Sequence, residues 1–400
     1  VPFAQNPYKI SPQQQQLTQQ SPNLNLQPKE LSMPRYINYV ADYGGCGMWR
    51  IMWPEVVINC EGLGISQSTT AMVLDPRWYQ NVKAVRVQRQ AGDHQKRFVE
   101  FLKTVQQQFN FKIIYEVDDV VFSEEIPDYN KFKFAFVDPS IRQNCIDIIN
   151  MCDEVIVTCP FMKKLYQEKT GKQEITVLPN FPPYFWLGHY FNPKKIYDNL
   201  EKFKKRPRVL YTGSGAHYDV DNKNKGQDDF SHVLNTIIKT VDKYQWIFVG
   251  AFPPPLLPFV QSGKIEFHSW QTLFRYPRLF DSLNANITIA PLMNNNFNKS
   301  KSDIKFIESC CFGLPCLVQN METYQNAPDF LKFVTGDELE EKLDNILNWK
   351  NRQKYYQNVF VYQKIAHERF LEHPENIGCH IDVLATPYGS PDRKYVNRFN

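Results

Sequence analysis

The sequence predicts an α/β chain in which two units face each other across a cleft, and three observations carry that prediction. Strand-like apolar segments alternate with segments of helical period, and the alternation stops and restarts around an aromatic, proline-bearing and then basic stretch at 181–206. Each half opens on a strand that runs into a glycine-bearing loop, at 41–47 and again at 212–217. The second half closes with an apolar strand, a polar lysine-bearing loop, a helix and a Gly-x-Pro turn, all within 286–318. Strands alternating with helices imply a mostly parallel sheet covered on both faces. Such sheets bind ligands outside the carboxyl ends of their strands, which two tandem units place around a cleft.

In chain order, residues 36–40 read as a strand ending in Ala41-Asp42-Tyr43-Gly44-Gly45-Cys46-Gly47, whose glycines allow turns and close ligand approach. Arg50 follows one helical turn on, within reach of an anion. Strands at 84–88 and 112–117 flank a helix at 98–109, and the second of them ends at Asp118-Asp119. A helix at 141–151, a strand at 154–158, a helix at 160–170 and a segment at 175–180 complete this half. The second half reads as a strand at 208–211, a helix at 230–241, strands at 246–250 and 265–268, a helix at 276–283 and a strand at 286–292. The expected domains are 34–185 and 207–348, with a linker at 186–206, terminal helices at 349–400 and a tail at 1–33. That tail is rich in Gln, Asn and Pro and lacks the apolar residues needed to order itself.

Four hundred residues that are 42% hydrophobic and 14% aromatic can build two substantial cores. The net charge of +4 permits contact with a polyanion without arguing for one. Nine cysteines without a Cys-x-x-Cys pair read as reduced, packed residues of a cytosolic protein, and no His or Cys cluster has metal-ligand spacing. No 18-residue apolar run predicts a membrane span, and the first residues lack a signal pattern.

The stretch from Asn298 to Glu308 is the most informative. A loop and helix start offer backbone N–H groups beside Lys301, Ser302 and Lys305, which is what a diphosphate needs. Glu308 lies further down the same helix, where a carboxylate accepts hydrogen bonds from a ribose diol. Phosphate at one end and diol at the other outline a nucleotide-sugar site. Gly213, Ser214 and Gly215 supply backbone room beside it. His217, followed by Asp219 and Asp221, either contacts phosphate or is solvated on its loop. Asp118 and Asp119 directly follow an apolar strand and either act on a ligand at that strand end or cap the next segment.

Three blocks carry a family resemblance. They are Glu154-Val155-Ile156-Val157-Thr158 with Val177-Leu178-Pro179-Asn180, then Tyr211-Thr212-Gly213-Ser214, then Ile289-Ala290-Pro291-Leu292 through Gly313-Leu314-Pro315. In this order and spacing, residues 36–370 resemble the GT-B fold glycosyltransferases, specifically the large retaining family with a Glu-x7-Glu nucleotide-sugar motif. Ser300 stands where that motif has its first acid. The chain instead resembles a phage-type subgroup reading Lys-Ser-x-x-Lys-x-x-Glu, matched by Lys301, Ser302, Lys305 and Glu308. Asp303, or backbone N–H groups of 299–302, would then make the sugar contact.

The resemblance implies two Rossmann-like domains facing a cleft and a nucleoside-diphosphate sugar as donor, UDP-sugar favoured, with no tightly bound cofactor and no metal. It implies retention of configuration, the leaving phosphate assisting acceptor deprotonation on the same face. Asp118, Asp119, Lys301 and Glu308 become the catalytic candidates. Gly45, Gly47 and Arg50 belong to a loop that approaches donor phosphate or acceptor, and Trp270 either stacks on the nucleobase or is a core residue. The segment 349–371 resembles terminal helices that cross back to the first domain.

The Asn-, Gln-, Tyr- and Lys-heavy composition fits a viral protein acting in the host cytoplasm, and similar stand-alone transferases occur in bacteriophages. The leading acceptor is a hydroxymethylated pyrimidine in double-stranded DNA, which has to be flipped out to reach the cleft. Lys131, Lys133, Arg142, Lys163 and Lys164 either line that approach or are solvated. A polysaccharide, lipid-linked saccharide or protein acceptor is the alternative. Ser300 also leaves open a non-catalytic binding protein on the same scaffold, and a sugar epimerase is a further variant.

Overall fold

The computed structural model describes residues 33–89, 91–219 and 227–400. The tail expected at 1–33 lies, apart from Met33, outside the described residues, as does Asp221. β-Branched and aromatic segments form β1 (Arg35–Tyr39), β2 (Ile65–Thr69), β3 (Val82–Gln88), β4 (Lys112–Glu116), β5 (Glu154–Val157) and β6 (Ile175–Val177). They pair in parallel in the order β2-β1-β3-β4-β5-β6. The second half repeats the scheme with β7 (Arg208–Gly213), β8 (Gln245–Gly250), β9 (Glu266–Ser269), β10 (Ile287–Ala290), β11 (Cys316–Gln319) and β12 (Lys332–Phe333). Its parallel order is β12-β11-β10-β7-β8-β9. Chain direction across the sheet reverses between β1 and β3 and between β7 and β10. Crevices open at such switch points.

Most central strands are buried along their whole length, as expected of strands covered on both faces. β2 was not expected from sequence. It is an edge strand in which Ile65 and Gln67 are exposed and Ser66 is buried, so it carries no apolar run. The helix expected at 230–241 is shorter, Leu234–Lys239. The reason is a turn before it, where the Asp228 carboxylate accepts from the Phe230 N–H at 2.9 Å. The linker region holds the helix Pro193–Lys202, capped by Asn192, whose side chain accepts from the Lys195 N–H at 3.0 Å.

The helix Arg352–Arg369 lies against the helix Ile304–Cys311, and the Leu371 N–H then donates to the Pro182 carbonyl at 2.9 Å. The next helix, Pro374–Ala385, packs on the helix Trp53–Cys60 and on β3. The chain end is pinned by a buried carboxylate, Glu154, which pairs with Lys112, Thr176 and Arg393. A buried carboxylate with fewer partners would be strongly destabilising. Among the described residues no helix is long and apolar enough to cross a membrane. Cys145 and Cys152 are buried, and none of the nine cysteines is in a disulfide.

Candidate active site

The carboxyl ends of both sheets border one cavity of 340 Å³. Its wall on the side of the second half, the donor-side wall by the role the sequence suggests, is local in sequence. Lys301 and Ser302 sit on the turn before the helix Ile304–Cys311, and Lys305 and Glu308 lie on that helix. Its N-cap residue, Asp303, makes no side-chain cap. Among the described residues, the backbone N–H groups of Ser302, Asp303, Ile304 and Lys305 have no hydrogen-bond partner. Free N–H groups at a helix start, next to two lysines, are an anion site.

Lys305 is half-buried, its Nζ 5.3 Å from the Tyr211 ring centroid. Burial, with Lys301 nearby, pushes its ammonium below the usual lysine range. Lys301 Nζ sits 4.4 Å from the Phe297 ring centroid. Glu308 is 7% exposed, and burial pushes its carboxyl up. Its Oε2 accepts from the Tyr276 hydroxyl at 2.9 Å, and that hydroxyl is also 3.2 Å from Thr212 Oγ1.

Asp303, expected as a sugar contact, is turned elsewhere. Both its oxygens accept from the Arg369 guanidinium, at 3.1 and 3.2 Å. A bidentate pair of this kind holds the carboxylate away from the cavity.

Gly213 ends β7 where a Cβ would come within 2.3 Å of the Tyr211 hydroxyl oxygen. Gly250, at φ +95°, ends β8 where a Cβ would meet the Gly213 carbonyl at 2.4 Å and the Trp270 ring at 3.0 Å. Trp270 therefore lies across these glycines, and at 65% exposure it is a cavity residue and not a core one. Ser214 lines the cavity and accepts from the Ala216 N–H at 3.3 Å. Gly215 packs instead near Lys131, with Nζ 3.3 Å from where its Cβ would be. His217 lines the cavity, buried, with Nδ1 2.7 Å from Asp229 Oδ2.

The facing wall gathers residues from separate strand ends. Gly45 and Cys46 come from the loop after β1, and Asp118 and Asp119 from the end of β4. Gly47 stands behind the wall, where a Cβ would meet the Asp42 carbonyl at 1.8 Å. Arg89, after β3, pairs with Asp42 at 3.0 Å and approaches Asp118 at 3.6 Å. Burial pushes the Asp119 carboxyl up, opposed by Lys301.

Arg50 lines the cavity as well, but with its guanidinium already engaged. Its guanidinium is buried and donates to Glu116 at 2.8 Å, to the Leu178 carbonyl at 2.7 Å and to Asn180 Oδ1 at 2.9 Å. A guanidinium taken out of water has to be matched by such partners, so it does not wait free for an anion. It acts through Asn180, whose Nδ2 donates to Ser302 Oγ at 2.8 Å and so links the two walls. Asn180, Arg89 and Tyr276 were not singled out as site residues. Asn180 closes a block that resembled the family, whereas Arg89 and Tyr276 carry no local signal. Of the basic residues proposed for a polyanion, Lys133, Arg142 and Lys164 pair with Asp128, Glu124 and Glu168. Among the described residues no three His, Cys, Asp or Glu side chains gather in a way that could hold a metal ion.

No family model and no curated protein matches the chain in sequence. Solved structures do match in shape. Anabaena Alr3699/HepE in complex with UDP aligns with a TM-score of 0.55 at 10% identity, over 84% of this chain and 95% of that one. A glycosyltransferase from Rickettsia africae aligns with a TM-score of 0.53 at 12% identity, over 88% and 99%. An α-glucosyltransferase in complex with UDP and a 13-mer DNA containing an HMU base aligns with a TM-score of 0.54 at 10% identity, over 88% and 99%. The fold is GT-B. Two Rossmann-like α/β domains facing a cleft, as the sequence predicted, are what these likenesses establish.

Proposed function

We propose that this chain is a glycosyltransferase that moves a sugar from a UDP-sugar to a hydroxyl acceptor. The observation that carries the reading is the donor-side wall. Four unpartnered backbone N–H groups, Lys301 and Lys305 converge at one end of a helix whose buried Glu308 lies in the same cavity. A diphosphate fits the first set and a ribose diol fits Glu308, with the base against Trp270. The HepE structure with UDP and the α-glucosyltransferase structure with UDP and DNA give the reading its nucleotide.

In this mechanism the helix start and the two lysines stabilise charge developing on the departing diphosphate. That stabilisation needs no metal ion. Asp118 and Asp119 line the same cavity, and in this reading they hold the donor sugar's hydroxyls or orient the acceptor. Retention, and membership of the Lys-Ser-x-x-Lys-x-x-Glu subgroup, follow from the sequence resemblance. The leaving phosphate then takes the acceptor proton on the same face, without a covalent enzyme intermediate.

The acceptor proposed is a hydroxymethylated pyrimidine in DNA, in line with the DNA-bound α-glucosyltransferase of the same fold. A saccharide or protein hydroxyl is the second reading, favoured by the pairing of Lys133, Arg142 and Lys164 with carboxylates. Duplex binding that falls steeply with salt supports DNA, and salt-insensitive or absent binding supports the saccharide or protein.

The test is thermal stabilisation by UDP-, GDP-, ADP- and dTDP-sugars, each with and without EDTA, followed by transfer assays with the donor that binds. UDP-sugars alone are expected to stabilise the protein, unchanged by EDTA. No stabilisation by any of them overturns the donor site and favours a non-catalytic role.

A further inference from the structure

Four donors from separate parts of the chain converge on Asp229, which is 1% exposed. Its Oδ2 accepts from His217 Nδ1 at 2.7 Å. Its Oδ1 accepts from the Tyr129 hydroxyl at 2.7 Å, from Asn298 Nδ2 at 2.6 Å and from the Met293 N–H at 2.9 Å. Burial pushes this carboxyl up, but the His217 hydrogen bond and the other donors outweigh it and leave Asp229 below its usual range. A carboxylate only accepts, so His217 donates from Nδ1. Its Nε2, on the other side of the ring, has no hydrogen-bond partner among the described residues. The ring lines the cavity, with Lys301 and Lys305 near it.

Tyr129 comes from the other half of the molecule, on the segment that follows β4. Its hydroxyl also accepts from Asn298 Nδ2 at 3.0 Å. Glu125, on the same segment, accepts from Asn296 Nδ2 at 2.9 Å. Lys131, two residues beyond Tyr129, lies against Gly215 of the donor loop. This segment therefore docks on the donor half beside His217, and Asp229 is where the two meet.

We propose that Asp229 is a positioning residue for the donor: it fixes His217 with Nε2 toward the diphosphate and, through Tyr129, ties that contact to docking of the β4 segment. The proposal rests on the reading of the cavity as a UDP-sugar site. Burial and the nearby Lys305 push the imidazole down to about 4, so Nε2 is bare in the free protein at neutral pH. The groups facing the ring are Asp229 on one edge, Lys301 and Lys305 from the donor helix and its turn, and Tyr211 from β7. A diphosphate set among them neutralises the lysines and favours a proton on Nε2, taken from the buffer. Asp229 then pairs with an imidazolium, and the segment carrying Tyr129 gains a reason to stay docked.

The experiment is titration calorimetry with UDP in two buffers of different ionisation enthalpy, on the full chain. The variants are His217→Asn, Tyr129→Phe, their double and Lys305→Met. His217→Asn is expected to weaken UDP about tenfold and to lower the protons taken up per UDP relative to the unaltered chain. Tyr129→Phe, which keeps the ring and removes one hydroxyl, is expected to weaken UDP about threefold and to lower the melting temperature of the free protein by a few degrees, since the lost hydrogen bond is buried. The double variant is expected to bind no more weakly than His217→Asn, because the two residues act as one unit. Additive losses, unchanged proton uptake in His217→Asn, or no effect of Tyr129→Phe overturns the proposal. If UDP fails to bind the unaltered chain, or binds Lys305→Met equally well, the donor-site reading itself is what has failed.

Discussion

The two walls of the cavity are built in opposite ways. The donor-side wall is short in sequence and left polar and unpaired. Among the described residues the N–H groups of 302–305 have no hydrogen-bond partner, and the nearest opposite charges to Lys301 and Lys305 are Asp119, Glu308 and Asp229, none of them within ion-pair distance. Lys305 is pushed down and Glu308 pushed up, each by burial. The facing wall draws on the ends of β1, β3 and β4, and most of its charges are already matched, Arg50 by Glu116 and Arg89 by Asp42. An unpaired wall gains most when a ligand arrives, because the ligand supplies the missing partners. A matched wall gains little from a ligand but holds its groups in place beforehand. The comparison assigns affinity to the donor-side wall and orientation to the facing one.

Lys305→Met tests the first half of that contrast and carries the largest expected effect. UDP affinity should fall about 100-fold by calorimetry, the loss expected for a buried charge-assisted contact to phosphate. The free protein should melt about 2 °C higher, because a cation disfavoured by burial and by Lys301 is gone. A lower melting temperature would mean that the donor-side wall is matched after all.

Asp118→Asn and Asp119→Asn test the second half. Each should cut transfer about 100-fold with UDP affinity within about twofold of the original, measured by steady-state kinetics and calorimetry. A parallel loss of UDP affinity would erase the distinction between the walls.

Glu308→Gln should weaken UDP about tenfold, and Tyr276→Phe about threefold, since Tyr276 only steadies the carboxylate. Equal effects would place Tyr276 in contact with donor. Trp270→Ala should weaken UDP about fivefold without moving the melting temperature, because the ring is exposed.

The smallest effect concerns pH. His217 titrates near 4 in the fold against an ordinary 6.5, so its contribution to stability is complete above 6.5 and is lost as pH falls toward 4. Melting curves across that window should fall with acid, and His217→Asn should flatten part of the fall.

The residues of the donor-side wall were largely legible from 298–308, because they sit on one turn and one helix. The strand ends at Gly213 and Asp119 were legible for a similar reason, since glycine or acid directly after an apolar run marks a carboxyl edge. Arg50 and Asp303 were read as ligand contacts because their partners, Glu116 and Arg369, are each 66 residues away. Tyr276 looked like the first residue of an ordinary helix.

Residue order by itself determined the twofold α/β alternation, the glycine loops at both strand ends and the spacing of Lys301, Lys305 and Glu308. These follow from local propensity and helical geometry, which act over a few residues. Only the tertiary structure decided which charges stay open to a ligand. Arg50 is satisfied by Glu116 and Asn180, Asp303 by Arg369, and Asp229 joins His217 to Tyr129 across the cleft. The reason is that a buried charge is settled by whatever partner the fold brings within hydrogen-bond distance, and sequence separation does not measure that distance.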